Sequence, residues 1–176
     1  MIILRHLISL ILPVMVLIVV PYLIENDLHL TWLWTTILGS VFICFGSLTV
    51  ILTIRMFIKI GNGTLAPWDP TRYLVTSSLY GYVRNPMIMG VFIVVLGEAI
   101  LFASLSIGIW AFAFFVINTM YFIFSEEPGL EKRFGKEYIE YKKNVPRWIP
   151  RMKPWAPDHK RNNIYKEKAA ANSKYK

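Results

Sequence analysis

The chain has 176 residues, of which 55% are apolar and 15% aromatic, and its formal net charge is +8. That length corresponds to roughly one domain, and the apolar content is gathered into charge-free runs too long for an ordinary soluble fold. The single Cys44 and the scattered His6, His29 and His159 exclude a disulfide framework and make no metal-ligand spacing.

In chain order, Leu7 to Ile24 and Leu30 to Ile54 carry no charged residue, and Met87 to Phe124 carries only Glu98. A bilayer-spanning helix needs about 20 apolar residues. The first two runs are one span each, and the third is too long for one and divides into a tight hairpin near Ser104, Ser106 and Gly108. The expectation is an all-α, polytopic membrane protein with four transmembrane helices at about 7–24, 30–58, 86–103 and 106–125. The first run follows Arg5 as a signal peptide would, but no small-x-small cleavage site follows "PYLIEND", so it reads as a retained helix.

Basic residues set the orientation. The loop Glu25 to His29 has two acids and no Lys or Arg, whereas Arg55, Lys59, Arg72 and Arg84 lie between the second and third helices. Fourteen of the nineteen Lys and Arg follow Glu126. Both basic segments, and both termini, are therefore expected on the cytoplasmic side. The positive charge points to anionic inner-leaflet lipid, not nucleic acid.

Polar residues at membrane depth mark sites. The second helix carries Gly39, Ser40, Gly46, Ser47, Thr49 and Thr53, which suit close helix packing. On the third, Pro86, Gly90, Val94, Gly97 and Glu98 fall near one face. The glycines there either admit a neighbouring helix or open space for a ligand. Glu98 must be paired, protonated or facing a polar cavity. At the end of the fourth helix, Asn118, Tyr121 and Ser125 share a face that runs out to Glu126 and Glu127, beside a basic tail.

Leu130, Phe134, Tyr138, Tyr141 and Val145 then recur at helical spacing, which predicts an amphipathic helix over about 129–144 that lies on the membrane or caps a pocket. "PRWIPRMKPWAP" follows as a Pro-rich extended stretch whose Trp148 and Trp155 suit the headgroup zone. Residues 1–157 read as one membrane domain and 158–176 as a basic mobile tail.

"LYGYVRNPMIMG", Leu79 to Gly90, combines a helix start with a cation. Asn85 is a preferred N-cap and Pro86 a preferred first residue. The free N–H groups of such a start attract anions, and Arg84 adds a full charge. A phosphate or carboxylate site is one reading; an ordinary cap with an Arg anchored to lipid phosphate is the other.

"YGYVRNPMIMG", then "GEAILFAS", then "SEEPGLEKRFGKEYIEYKKNVPRWIPR" resembles the integral-membrane methyltransferases of the isoprenylcysteine carboxyl methyltransferase and phospholipid methyltransferase superfamily. The resemblance covers roughly Gly61 to Arg151. It implies an S-adenosylmethionine pocket on the cytoplasmic side, built from the last two helices and the C-terminal segment, with the amphipathic helix as its lid. Carried over by position, Tyr82, Arg84, Asn85, Pro86 and Gly90 line it from the first block, and Glu126, Glu127, Leu130, Tyr138, Tyr141, Arg147 and Pro150 from the second. Arg84 suits the cofactor carboxylate, Glu126 or Glu127 its ammonium or ribose hydroxyls, and tyrosine faces its sulfonium. This chain departs from the pattern at Asn85, where many members have His, and at Ile88, where they have Tyr.

Glu127, Glu98 and Arg147 are the candidate catalytic residues, either acid serving as base if the acceptor is an amine. The acceptor implied is lipid-like: a prenylated cysteine carboxylate, a phospholipid amine or an apolar thiol. The rival expectation is a non-catalytic membrane scaffold or lipid-binding protein of the same fold.

Overall fold

The computed structural model describes residues 11–25, 28–30, 32–56 and 74–157, and their regular structure is entirely helical. Helix α1 comprises Ile11–Val14, a wider π-type turn at Met15–Val19, and Val20–Ile24. Helix α2 is Leu33–Met56. A single 3-10 turn at Ser78–Gly81 leads into α3, Pro86–Leu101. Helix α4, Leu105–Tyr121, passes through a second π-type turn at Phe122–Glu126 into α5, Glu127–Phe134. Helix α6 is Lys136–Asn144.

Among the described residues, two helices are long and apolar enough to cross a membrane, Leu33–Met56 and the continuous stretch Leu105–Phe134. Met15–Ile24 and Pro86–Leu101 are apolar but shorter. Outward faces carry large apolar side chains, among them Trp34, Leu38, Val41 and Phe45 on α2, Ile109, Phe112 and Ile117 on α4, and Phe124 on the π turn after it. Exposed apolar surface on this scale, on helices whose backbone groups are satisfied internally, marks a membrane protein.

Small residues set the tightest packing. A Cβ added to Gly39 of α2 would lie 2.6 Å from the Leu101 backbone N, and one on Gly46 would lie 2.7 Å from the Gly90 carbonyl O. A Cβ on Gly97 would in turn lie 2.9 Å from the Gly39 carbonyl O. Early α2 therefore touches late α3 and the pair is antiparallel. Of the two expected uses of Gly90 and Gly97, the one realised is admission of a neighbouring helix.

Both π turns end two residues before a proline, Pro21 and Pro128. Proline cannot donate and its ring crowds the carbonyl four residues back, which widening relieves. In α1 the Val20 N–H reaches back to Met15 O, so Val16 O loses its usual donor. The Trp110 indole N–H of α4 fills the vacancy at 3.3 Å and ties α1 to α4. Beneath that tie lies a buried cluster of Val95, Ala99, Ile107 and Ala111, with Phe92 and Phe102 against it.

The α3–α4 hairpin turns at Phe102–Ser104, at the first of the three residues expected to mark it, while Ser106 and Gly108 lie inside α4. Ala103 takes a positive φ of 49° there. The Ser104 hydroxyl accepts the Ile107 N–H, which caps α4, and donates to Glu25 Oε2 at 2.5 Å.

The expected single amphipathic helix is instead two. Gly135, at φ 53° and ψ −127°, breaks it, because that conformation is open only to glycine. Helix α5 continues the last apolar helix, and α6 folds back on it through Tyr138, Tyr141 and Val145, which pack with Leu74, Leu130, Phe134 and Trp155. The basic tail over 158–176, residues 7–10 and the loop over 57–73 lie outside the described residues.

Candidate functional site

The chain after α6 straps back across the segment that precedes α3. Arg84 N–H donates to Pro146 O at 2.9 Å, Arg151 N–H to Tyr82 O at 3.0 Å, and Trp155 N–H to Gly81 O at 2.9 Å. The two motif blocks, far apart in sequence, thus share a backbone ladder. Gly81 is required at this crossing, since a Cβ would stand 3.0 Å from Trp155 O.

Glu127 is the centre of the site. The π turn and Pro128 carry it to the first position of α5, where its side chain is 4% exposed. Its Oε1 accepts from Arg84 Nη1 at 2.9 Å and from Arg147 Nε at 2.7 Å. Its Oε2 pairs with Lys142 Nζ at 3.0 Å, and Lys142 also donates to Glu131 Oε1 at 2.8 Å. Three cations from three segments therefore converge on one buried carboxylate. The anion that answers Arg84 is the protein's own.

Tyrosines form the floor. Burial, and then the Glu127 charge, push the Tyr138 hydroxyl above the ordinary tyrosine value, opposed by the Arg84 charge and hydrogen bond. The Tyr141 hydroxyl donates to Tyr80 O at 2.7 Å, and burial drives it higher still. The Lys142 ammonium is held above the usual lysine value by its hydrogen bond to Glu131 and then by that to Glu127.

The other expected site residues sort by place. Glu126 receives a hydrogen bond from Tyr121 and lies near Arg133 and Tyr80. Tyr82 contributes its backbone carbonyl, and Leu130 packs under the tyrosines. Asn85 stands at the N-cap of α3 but makes no side-chain cap; its carbonyl takes the Met89 N–H, and buried Pro86 supplies the fixed start. The expected side-chain cap is therefore corrected. Gly90 faces α2 and serves the helix contact. Pro150 is exposed. Glu98 lies thirteen residues beyond Asn85, about 20 Å along the helix, so it and Glu127 do not act on one atom.

Five residues belong here that the sequence reading did not place at the site. Lys142 follows Tyr138 by four, on the face that carries Tyr141, and that spacing was a usable signal. Tyr80 enters through its backbone carbonyl, which has no sequence signal. Trp148, expected in the headgroup zone, instead packs on Phe115 at 4.9 Å and Phe122 at 6.0 Å. Trp155 likewise packs on Tyr141, at 5.6 Å. Arg151 was hidden among the tail's basic residues.

Fold and site together define an all-helical membrane protein with a buried ion cluster at one end of its apolar helices. The chain belongs to the phospholipid methyltransferase family, whose family model matches residues 34–137. It is similar to Protein-S-isoprenylcysteine O-methyltransferase of Schizosaccharomyces pombe, 37% identical over 83 residues, which is 44% of this chain and 33% of the relative. It is 34% identical over 87 residues to the Homo sapiens protein of the same name, covering 47% of this chain and 29% of that one. The match thus spans about a third of each relative's length. No solved structure matches the chain.

Proposed function

We propose that this protein is an S-adenosylmethionine-dependent methyltransferase of the membrane, acting on a lipid-like acceptor of the isoprenylcysteine carboxylate type. One observation carries the reading: Glu127 gathers Arg84 of the first motif block with Lys142 and Arg147 of the second, at the end of the apolar helices. The names of the two relatives, both O-methyltransferases of protein S-isoprenylcysteine, support it. In this reading all four apolar helices span the membrane, and the ion cluster and both termini face the cytoplasm.

The donors present suit S-adenosylmethionine. Arg84 Nε is buried with no partner among the described residues, and it fits the cofactor carboxylate. Glu126 offers an acceptor for the ammonium or the ribose hydroxyls, and the Tyr82 and Tyr138 rings offer faces for a sulfonium. Tyr141, Leu130 and Pro86 support the walls. When bound, the cofactor supplies a methyl group on sulfur, open to in-line displacement.

The cluster itself favours one acceptor class. A carboxylate held by three cations is a poor base, so Glu127 and Arg147 position the segments and remove no proton. Glu98 is at the other end of α3. An acceptor that arrives anionic needs no base, whereas an amine would depend on Glu126. Aligning donor and acceptor and excluding water then supplies about 7–11 kcal/mol.

Methyl-tritiated S-adenosylmethionine, incubated with an S-prenylcysteine, phosphatidylethanolamine and an apolar thiol, tests this. The expected product is a base-labile ester on the S-prenylcysteine. Label found only in base-stable N-methyl product would transfer the assignment to a phospholipid amine. Absence of both methyl transfer and S-adenosylhomocysteine binding would end the enzyme reading.

A further inference from the structure

Two buried donors on the strap lie outside the Glu127 cluster and find no partner among the described residues: Trp148 Nε1 and Arg151 Nη1. Their placement is fixed. Backbone bonds at Pro146 and at Arg151 bracket Trp148, and the indole is held between Phe115 of α4 and Phe122 of the π turn. The apolar body of the ring is satisfied and its N–H is not. Buried polar atoms in folded proteins are hydrogen-bonded, so each exception needs an explanation.

Indole N–H and guanidinium can only donate, and the guanidinium charge favours an anionic oxygen. The surroundings describe the rest of the ligand. From Trp148 a series of rings runs inward, with Phe115 against Phe92 at 5.1 Å, and Phe92 lies on the buried cluster between α3 and α4. An anion-seeking head thus adjoins an apolar track along the membrane helices. We propose that Trp148 and Arg151 form a subsite for the oxyanion of an amphiphilic acceptor, a carboxylate or phosphate at the head of an apolar chain. The subsite rests on the methyltransferase reading for its purpose and on the two unmet donors for its chemistry. It selects anionic acceptors over neutral ones of the same chain, and it is separate from the contacts that hold the cofactor.

Calorimetric titration of the full chain in maltoside micelles tests it. The probes are N-acetyl-S-farnesylcysteine, its methyl ester, a lysophosphatidylethanolamine and S-adenosylhomocysteine. The wild type is expected to bind the free carboxylate at least about tenfold more tightly than the ester, the scale of a charge-assisted hydrogen bond. Trp148→Phe keeps the ring and loses the N–H; Arg151→Gln loses the charge. Each should bring the carboxylate down towards the ester, leave S-adenosylhomocysteine within about twofold of wild type, and so report a folded protein. Arg151→Lys should recover part of the preference. If the variants weaken the lysophospholipid instead, a headgroup phosphate is the oxyanion and the subsite stands. Retention of the carboxylate preference and of phospholipid affinity in both variants overturns the subsite. Loss of S-adenosylhomocysteine affinity, with the acceptor preference intact, overturns it too by returning the donors to the cofactor. A wild type that binds no S-adenosylhomocysteine but still shows a variant-sensitive carboxylate preference would sink the methyltransferase reading alone.

Discussion

Glu127 and its three cations are unequal partners. Arg84 is nearly as buried as the carboxylate, at 10% and 4% exposure, while Lys142 is 38% exposed. Removing the acid strands two arginines in a water-poor site, and breaking a buried pair in this way costs about 3–5 kcal/mol. Glu127→Gln should therefore lower stability by about 3 kcal/mol in denaturant titration and abolish methyl transfer, whereas Lys142→Met should cost less than about 1 kcal/mol, because the ammonium and its Glu131 partner are both open to solvent and two arginines still answer Glu127. Tyr141 gives a pH dependence. Its hydroxyl lies above the ordinary tyrosine value of 10.0, chiefly through burial, so folding favours the neutral form. That contribution is complete below pH 10.0 and is lost as pH rises towards the folded value. Alkaline unfolding followed by circular dichroism should show the loss, and Tyr141→Phe should flatten it. At this scale the sequence set Arg84, Glu127, Arg147, Tyr138 and Tyr141 in one expected pocket, and in the structure Arg84, Arg147 and Tyr138 lie around Glu127. It could not show that Arg84 is already answered by a protein carboxylate, because that follows from the strap, a tertiary feature.

The helices depend on close backbone approach and on where regular helix is interrupted. Gly46 admits no Cβ, since one would lie 2.7 Å from Gly90 O, whereas Gly129 has nothing within 4 Å. Gly46→Ala should lower the melting temperature in detergent, with an overpacking cost of about 1–3 kcal/mol. Gly129→Ala, on open helix surface, should be neutral or stabilising by up to about 1 kcal/mol. Equal effects of the two would contradict the packing of α2 on α3. The apolar runs were legible because membrane helices are written in composition. The break at Gly135 and the two π turns were not: Gly135 sat inside an unbroken apolar period, and Pro21 and Pro128 widen their helices without ending them. The π turn before Pro128 joins the last apolar helix to α5 and sets Glu127 facing inward.

Across the whole molecule, the C-terminal strap is the joint. It runs from α6 over the lead into α3, brings Arg147 to Glu127, and places Trp148 on α4. Charge asymmetry and the two motif blocks made one end of the bundle legible as the site. The strap's Pro-rich composition read only as extended chain, which could not show that half-buried Trp148 and Trp155 pack on Phe115, Phe122 and Tyr141. Glu98 is conspicuous in sequence as an acid in an apolar run, and helical rise places it about 20 Å along α3 from Asn85, at the far end from the cluster. The claim on which function depends is that the joined blocks hold S-adenosylmethionine. Calorimetric titration of S-adenosylhomocysteine into the full chain in maltoside micelles measures it directly. Saturable one-to-one binding, weakened at least about tenfold by Arg84→Gln, is the result expected; no binding by the wild-type protein would contradict the account.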